Sequence, residues 1–200
     1  MPSPLAHSLA GVALTTLWWM PAKPAWRERW EAAWSLRGWF LLGIVVANLP
    51  DLDYLPGIFT GELNAYHQLH THSIGWWAVT TLGLGFVVHA LHPELGWKPM
   101  VWLGLVQGSH LAMDWMTEDR GVPPGFQALW PFSDRVVHSP VSVFKSFDKA
   151  DWGELFQVGN LVPLAWEAAI MGAVVAGALA WSQRTARRPG IGLDGSSGRR

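Results

Sequence analysis

The stretch Tyr66–Trp77, YHQLHTHSIGWW, sets three histidines, His67, His70 and His72, against the start of an apolar run that continues to Leu91 without an Asp, Glu, Lys or Arg. A run of that length suits a membrane span, which takes about 20 residues. Imidazoles crowded at its edge are costly to bury unless they are paired or coordinated. The same twelve residues therefore bear on both the fold and the chemistry.

Four further stretches read as membrane helices: Pro4–Met20, Gly38–Pro50, Pro99–Met116 and Asn160–Gln183. The second is short and extends back toward Ala32 if lengthened. Only 14% of the 200 residues are charged, against about 25% in ordinary soluble domains. Fifteen tryptophans are far more than a soluble core uses. Many of them, including Trp18, Trp19, Trp39, Trp76, Trp77, Trp97, Trp102, Trp115 and Trp181, fall near segment ends, as in an aromatic belt at the headgroup layer. The expected fold is all-α: a polytopic membrane helical bundle of about five transmembrane helices, one domain over residues 1–183. An Arg/Gly/Ser-rich tail, 184–200, is expected to be disordered. A mean hydropathy of only +0.17 keeps open a soluble all-helical bundle with a tryptophan-rich core.

Net charge is −1, so no global field points to a nucleic-acid partner. There is no cysteine, so a metal would have to be held by His, Asp or Glu. The opening MPSPLAHSLAG lacks the basic region of a signal peptide. Orientation follows the basic residues. In a five-span arrangement Lys23, Arg27, Arg29, Arg37, Lys98 and the arginines from Arg184 onward share one side, which should be cytoplasmic. The other side receives loop 51–72, with no Lys or Arg, and loop 117–159.

That topology collects the polar residues on the outer side. His7 lies about one turn into the first segment, and Asp51 and Asp53, in NLPDLD, follow the second. His67, His70 and His72 precede the third, while His110 and Asp114, in SHLAMD, lie near the end of the fourth. Residues four apart share a helix face, so His110 and Asp114 can address one centre. Imidazole nitrogen and carboxylate oxygen together suit zinc, manganese or iron, and a ligand set of this size suffices for two ions. Taken singly the signals are bland: a lone His7 reads as a packing residue, DLD as a solvated turn or cap, HQLHTHS as a polar loop. Their convergence from four segments favours a metal site.

AHSLAG, NLPDLD, HQLHTHS and SHLAMDWMTEDRGVPPGFQALWPF, in that order between about residues 6 and 133, resemble the YdjM-like family of inner-membrane metal-dependent hydrolases, also described as LexA-regulated or LexA-binding. The resemblance implies His7, Asp51, His67, His72, His110 and Asp114 as metal ligands, with Asp53 beside them. A more distant similarity is to the helical zinc-dependent phospholipases C. This chain has Gln68 and Leu69 where the family pattern HRGxTHS has Arg and Gly, removing a guanidinium able to grip phosphate.

The expectation is then a membrane-bound metal-dependent hydrolase, multi-pass in the inner membrane, with its site on the extracytoplasmic side and the carboxylates Asp51 and Asp53 supplying catalysis as well as metal binding. Two divalent ions, zinc or else manganese or iron, would activate water against a phosphoester of a lipid or lipid-linked substrate. Glu167, inside the fifth segment, and His70 would support the ligands from behind. Loop 117–159 would roof the site. The alternative is a non-catalytic metal-binding scaffold or regulator. A metal transporter fits less well, because the polar groups stop on one side.

Overall fold

A computed structural model describes residues 1–19, 24–120 and 124–186. The described residues form α1 (Pro4–Trp19), α2 (Pro24–Ala33), α3 (Leu36–Ala47), α4 (Tyr54–Thr60), α5 (Ile74–Leu91), α6 (Lys98–Trp115), α7 (Trp152–Leu155) and α8 (Leu161–Ala186). They contain isolated β-bridges but no strand. Helix α1 packs against α3, α6 and α8, while α5 lies on the far side of α6. The central position of α1 follows from its small residues. A Cβ on Gly11 would stand 2.5 Å from the Gly43 carbonyl oxygen, so the α1 and α3 backbones approach as closely as their glycines allow. Thr15 and Thr16 donate to the carbonyls of Gly11 and Val12, which satisfies both hydroxyls inside the helix.

NLPDLD is a break in an apolar helix. Asn48 caps α3, and Leu49–Asp53 form a 3-10 turn with Pro50 near its start, where a missing N–H costs least. The axis turns by 55° before α4, which ends on Gly61 in the left-handed region at φ 84°. The long connection after α6 folds back over this end. Leu63 N donates to Ala150 O, and Ile74 N and Gly75 N at the start of α5 donate to Ala128 and Trp130. Part of the expected roof thus covers the helix ends, although Pro123 lies outside the described residues.

The bundle buries many polar groups beside its apolar core and turns large apolar side chains outward. Thr15, Thr16, Gln107, Glu167 and Ser182 are buried, whereas Leu41, Val45, Val79, Phe86, Leu91, Val162 and Trp181 face outward. Such an exterior is unfavourable in water and suits lipid, which removes the case for a soluble bundle. Ile74–Leu91 and Val158–Thr185 are long and apolar enough to cross a membrane, and α3–α4 adds a third if counted as one broken span. The other two expected spans are less clear by length and composition. Helix α1 has 16 residues, and α6 buries Gln107, His110 and Asp114.

The tryptophans correct one expectation. Trp19, Trp39 and Trp102 do not form a belt; with Trp30 of α2 they make a buried cluster where α1 ends and α3 and α6 begin. The Trp39 ring lies tilted against that of Trp30 with centroids 4.4 Å apart, and its Nε1 donates to the Trp30 carbonyl. Trp97, Trp115 and Trp181 remain exposed. Helix α8 continues to Ala186, into the segment expected to be tail. The remainder, 187–200, and Lys23 lie outside the described residues.

Candidate metal centre

The opposite end of α1 and α6 carries the histidines. His72 in a 3-10 turn, His110 and Asp114 on α6, and Asp51 at the α3–α4 break converge on one point. His72 Nε2 lies 3.1 Å from His110 Nε2, 3.5 Å from Asp51 Oδ1 and 3.3 Å from Asp114 Oδ2. His110 Nε2 lies 3.6 Å from Asp51 Oδ1 and 3.2 Å from Asp114 Oδ2. Asp51 and Asp114 thus each approach the same pair of imidazole nitrogens. A four-coordinate ion with bonds of about 2.0–2.2 Å would set its ligand atoms about 3.3–3.6 Å apart. Each carboxylate oxygen and the two imidazole nitrogens are therefore spaced as neighbouring ligand atoms of one ion would be.

The same atoms lack other satisfaction. Asp51 Oδ1, both Asp114 oxygens and both ring nitrogens of His7 are buried without an aligned hydrogen-bond partner. Buried polar groups are rarely left in this condition unless something unseen binds them. The rings are held from behind instead. His110 Nδ1 donates to the Ala47 carbonyl at 2.7 Å, at the end of α3. His72 Nδ1 lies 3.1 Å from Asp53 Oδ2. Both contacts fix the tautomer that presents Nε2 forward. Burial opposes a charge on His72, but its contacts with Asp51 and Asp53 outweigh that and push its pKa up to about 9.

Asp53 is thus separated from Asp51 in position. Its two oxygens receive His67 Nδ1 at 2.8 Å, the Thr71 hydroxyl at 2.6 Å and the Gln68 backbone N–H at 3.1 Å, besides His72. It stands behind His72 as an orienting carboxylate. His67 shares Asp53 with His72, and these three form a second grouping able to hold a cation. His67 Nε2, however, turns to the sulfur of Met1 and to Lys149. Burial first, then Lys149, lowers the His67 pKa to about 3.

His7 enters on the other side of the quartet. Its ring stacks on His110 with centroids 3.7 Å apart, and its Nε2 lies 3.4 Å from Asp114 Oδ1. Asp114 consequently turns one oxygen to His7 and the other to His72 and His110, as a bridging carboxylate would. His7, His110 and Asp114 make a third grouping of metal-ligand atoms.

Glu167 is fully buried but does not reach the histidines. It accepts from the backbone N–H of Ser3 at 3.0 Å and from its hydroxyl at 2.6 Å. Ser3 in turn accepts from His7 N at the first turn of α1. Glu167 therefore ties α8 to the helix end that positions His7. His70 is exposed and stacks on Trp130, away from the cluster. His89 stacks on Trp97, and His138 contacts the Thr117 carbonyl.

Two residues beside the cluster carry no signal in the sequence. The Lys149 ammonium, from the connection after α6, bonds the Tyr54 hydroxyl and lies 3.4 Å from His67 Nε2. Burial lowers its pKa, against the pull of Asp51, Asp114 and Asp53. A lone lysine in a long loop and a tyrosine after DLD are indistinguishable from surface residues until the chain closes.

The family model for the YdjM inner membrane protein matches residues 1–188, a span that contains every residue of the cluster. No curated protein and no solved structure matches the chain.

Proposed function

Because this chain belongs to the YdjM inner membrane protein family, we propose that its histidine–aspartate cluster holds divalent metal and that the protein is a membrane-bound metal-dependent hydrolase. Its substrate would be a phosphoester on a lipid or lipid-linked molecule. The observation that carries the reading is the quartet His72, His110, Asp51 and Asp114, whose facing atoms are 3.1–3.6 Å apart and largely unsatisfied. The bridging posture of Asp114 toward His7 supports a second ion. Zinc, or else manganese or iron, suits this donor set.

A divalent ion held there supplies Lewis acidity and acidifies water for attack on an ester. The chain's own part is positioning. Asp53 and the Ala47 carbonyl hold the two imidazoles, and Glu167 anchors the end of α1. Asp51 is the ligand that borders a cavity, so it is the carboxylate placed to accept a proton from incoming water.

The proposed arrangement in the bilayer has five spans: α1, the broken α3–α4, α5, α6 and α8. Lys98, Arg27, Arg29 and Arg37 cluster at the tryptophan end, which supports a cytoplasmic location for that end and an extracytoplasmic one for the histidines.

Metal content and hydrolysis of a phosphomonoester and phosphodiester panel test the reading in purified protein. Wild type should hold metal and cleave; His110→Ala and Asp51→Asn should lose both together. A second reading has one observation in its favour: an ion held by His72, His110, Asp51 and Asp114 together would have four protein ligands, as in structural sites. Wild-type protein replete with metal but inactive on every ester would establish that non-catalytic scaffold.

A further inference from the structure

Against Asp51 lies a cavity of about 420 Å³, a volume typical of small-molecule sites, which run about 300–1,000 Å³. Its walls are mostly apolar: Pro4 of α1, Ile58 of α4, Phe147 of the loop, and Trp152 and Leu155 of α7. Its polar lining includes Asp51, Tyr54 and Lys149, with Ser3, Ser8 and Asn48. Lys149 and Phe147 also line a second cavity of about 460 Å³, whose other walls include Gln68, Arg120 and the carboxylates Asp119, Asp148 and Glu154, with Arg120 paired to Asp148. Lys149 thus stands on the boundary between an oily chamber and a polar one. The partners of its ammonium among the described residues are neutral: the Tyr54 hydroxyl, His67 Nε2 and the Met1 sulfur. Asp51, Asp53 and Asp114 act on it only from beyond hydrogen-bond distance, so a buried ammonium whose direct contacts are all neutral keeps its donors for an anion. Near the oily chamber the outer surface of α4 and the residue after α7 is apolar as well, with Phe59 and Phe156 86% and 77% exposed. An acyl chain could therefore enter without crossing water.

We infer that these paired chambers bind an anionic phospholipid, with its acyl chain among Ile58, Phe147 and Leu155 and its phosphate on Lys149 and Tyr54. The inference rests on the phosphoester reading for the purpose of the site, and it adds where the substrate is gripped. Lys149 supplies the cation that Gln68 does not, from a different part of the chain. A point charge such as a lysine ammonium serves a phosphate, though without the fork geometry of an arginine. The phosphate would then sit beside Asp51 and hence beside the quartet.

The test is binding, measured on metal-free full-length protein in a phosphate-free neutral detergent by native mass spectrometry. The probes are dioleoyl phosphatidic acid, dioleoylglycerol and inorganic phosphate. Phosphatidic acid should bind at least tenfold more tightly than either of the others. Lys149→Gln should remove that advantage over dioleoylglycerol, and Lys149→Arg should keep most of it. Ile58→Trp, which fills the oily chamber from a partly exposed position, should weaken phosphatidic acid severalfold while the protein still elutes as a compact helical species. Equal binding of phosphatidic acid and dioleoylglycerol, or no change in Lys149→Gln, overturns the inference. Inorganic phosphate binding as tightly as phosphatidic acid overturns the acyl-chain part and leaves a simple anion site. Failure of hydrolysis in metal-loaded protein leaves these binding results standing, so the two readings fail separately.

Discussion

His72 Nε2 and His110 Nε2 face each other at 3.1 Å, although each ring has its other nitrogen already engaged, His72 with Asp53 and His110 with the Ala47 carbonyl. With protons on both Nδ1 atoms, two lone pairs would meet in a buried space. A cation between them relieves this, and it can be a proton or a metal ion.

The proton is the metal-free solution. The His72 pKa is raised from 6.5 to about 9, so its protonated form stabilises the metal-free fold. That contribution is complete below 6.5 and is lost as pH rises through about 9. Metal-free protein should therefore lose thermal stability across this window, and metal-loaded protein should not. Zinc titrated calorimetrically near neutral pH, in buffers of different ionisation enthalpy, should release about one proton from this site. Metal affinity should fall as pH drops. A zinc affinity independent of pH between 6.5 and 9 would remove His72 from the ligand set.

Asp53→Asn tests orientation without removing a ligand. The carboxamide keeps the volume but not the charge that His67, Thr71 and His72 share. Metal affinity should fall about 10–100-fold, less than the loss from His72→Ala. Asp53→Asn as damaging as His72→Ala in a competition with a metal indicator would make Asp53 a direct ligand.

Glu167→Ala should act on the fold first. It leaves the Ser3 N–H and hydroxyl without their acceptor, a cost of about 1–3 kcal/mol for buried groups. A lower unfolding temperature in detergent with most metal retained is the expected outcome. Complete loss of metal from a protein of unchanged stability would instead place Glu167 in the coordination shell.

Gly11→Leu should disrupt the α1–α3 crossing, because the Cβ alone meets the Gly43 carbonyl at 2.5 Å. Backbone cannot yield as a side chain can, so loss of compact protein on size-exclusion chromatography is expected. Gly172→Leu, where a Cβ meets nothing nearby, is the control.

Orientation is checked with single cysteines in this cysteine-free chain. Glu62→Cys should react with an impermeant thiol reagent in intact cells, and Glu31→Cys should react only after permeabilisation; both side chains are exposed. The reverse pattern would put the histidines on the cytoplasmic side.

The sequence by itself determined the helical class, the apolar runs and the histidine and aspartate side chains of the cluster, because residue chemistry and helical periodicity are local properties. His110 and Asp114 four apart had to share a face, and their contact at 3.2 Å follows from that spacing. Tertiary structure alone decided which carboxylate does what. Asp51 and Asp53 look equivalent in NLPDLD, but they lie in a turn of about three residues per revolution, so positions two apart point to different sides. One therefore joins the quartet and the other backs His72. Glu167 reads as a support for a histidine, yet its partner is Ser3, 164 positions away. The tryptophans read as a belt because segment ends mark the headgroup layer, and only tertiary packing turned three of them, Trp19, Trp39 and Trp102, inward around Trp30 of α2. Lys149 reached Tyr54 across 95 positions. No local pattern encodes such a distance, because chain closure depends on how every intervening element packs.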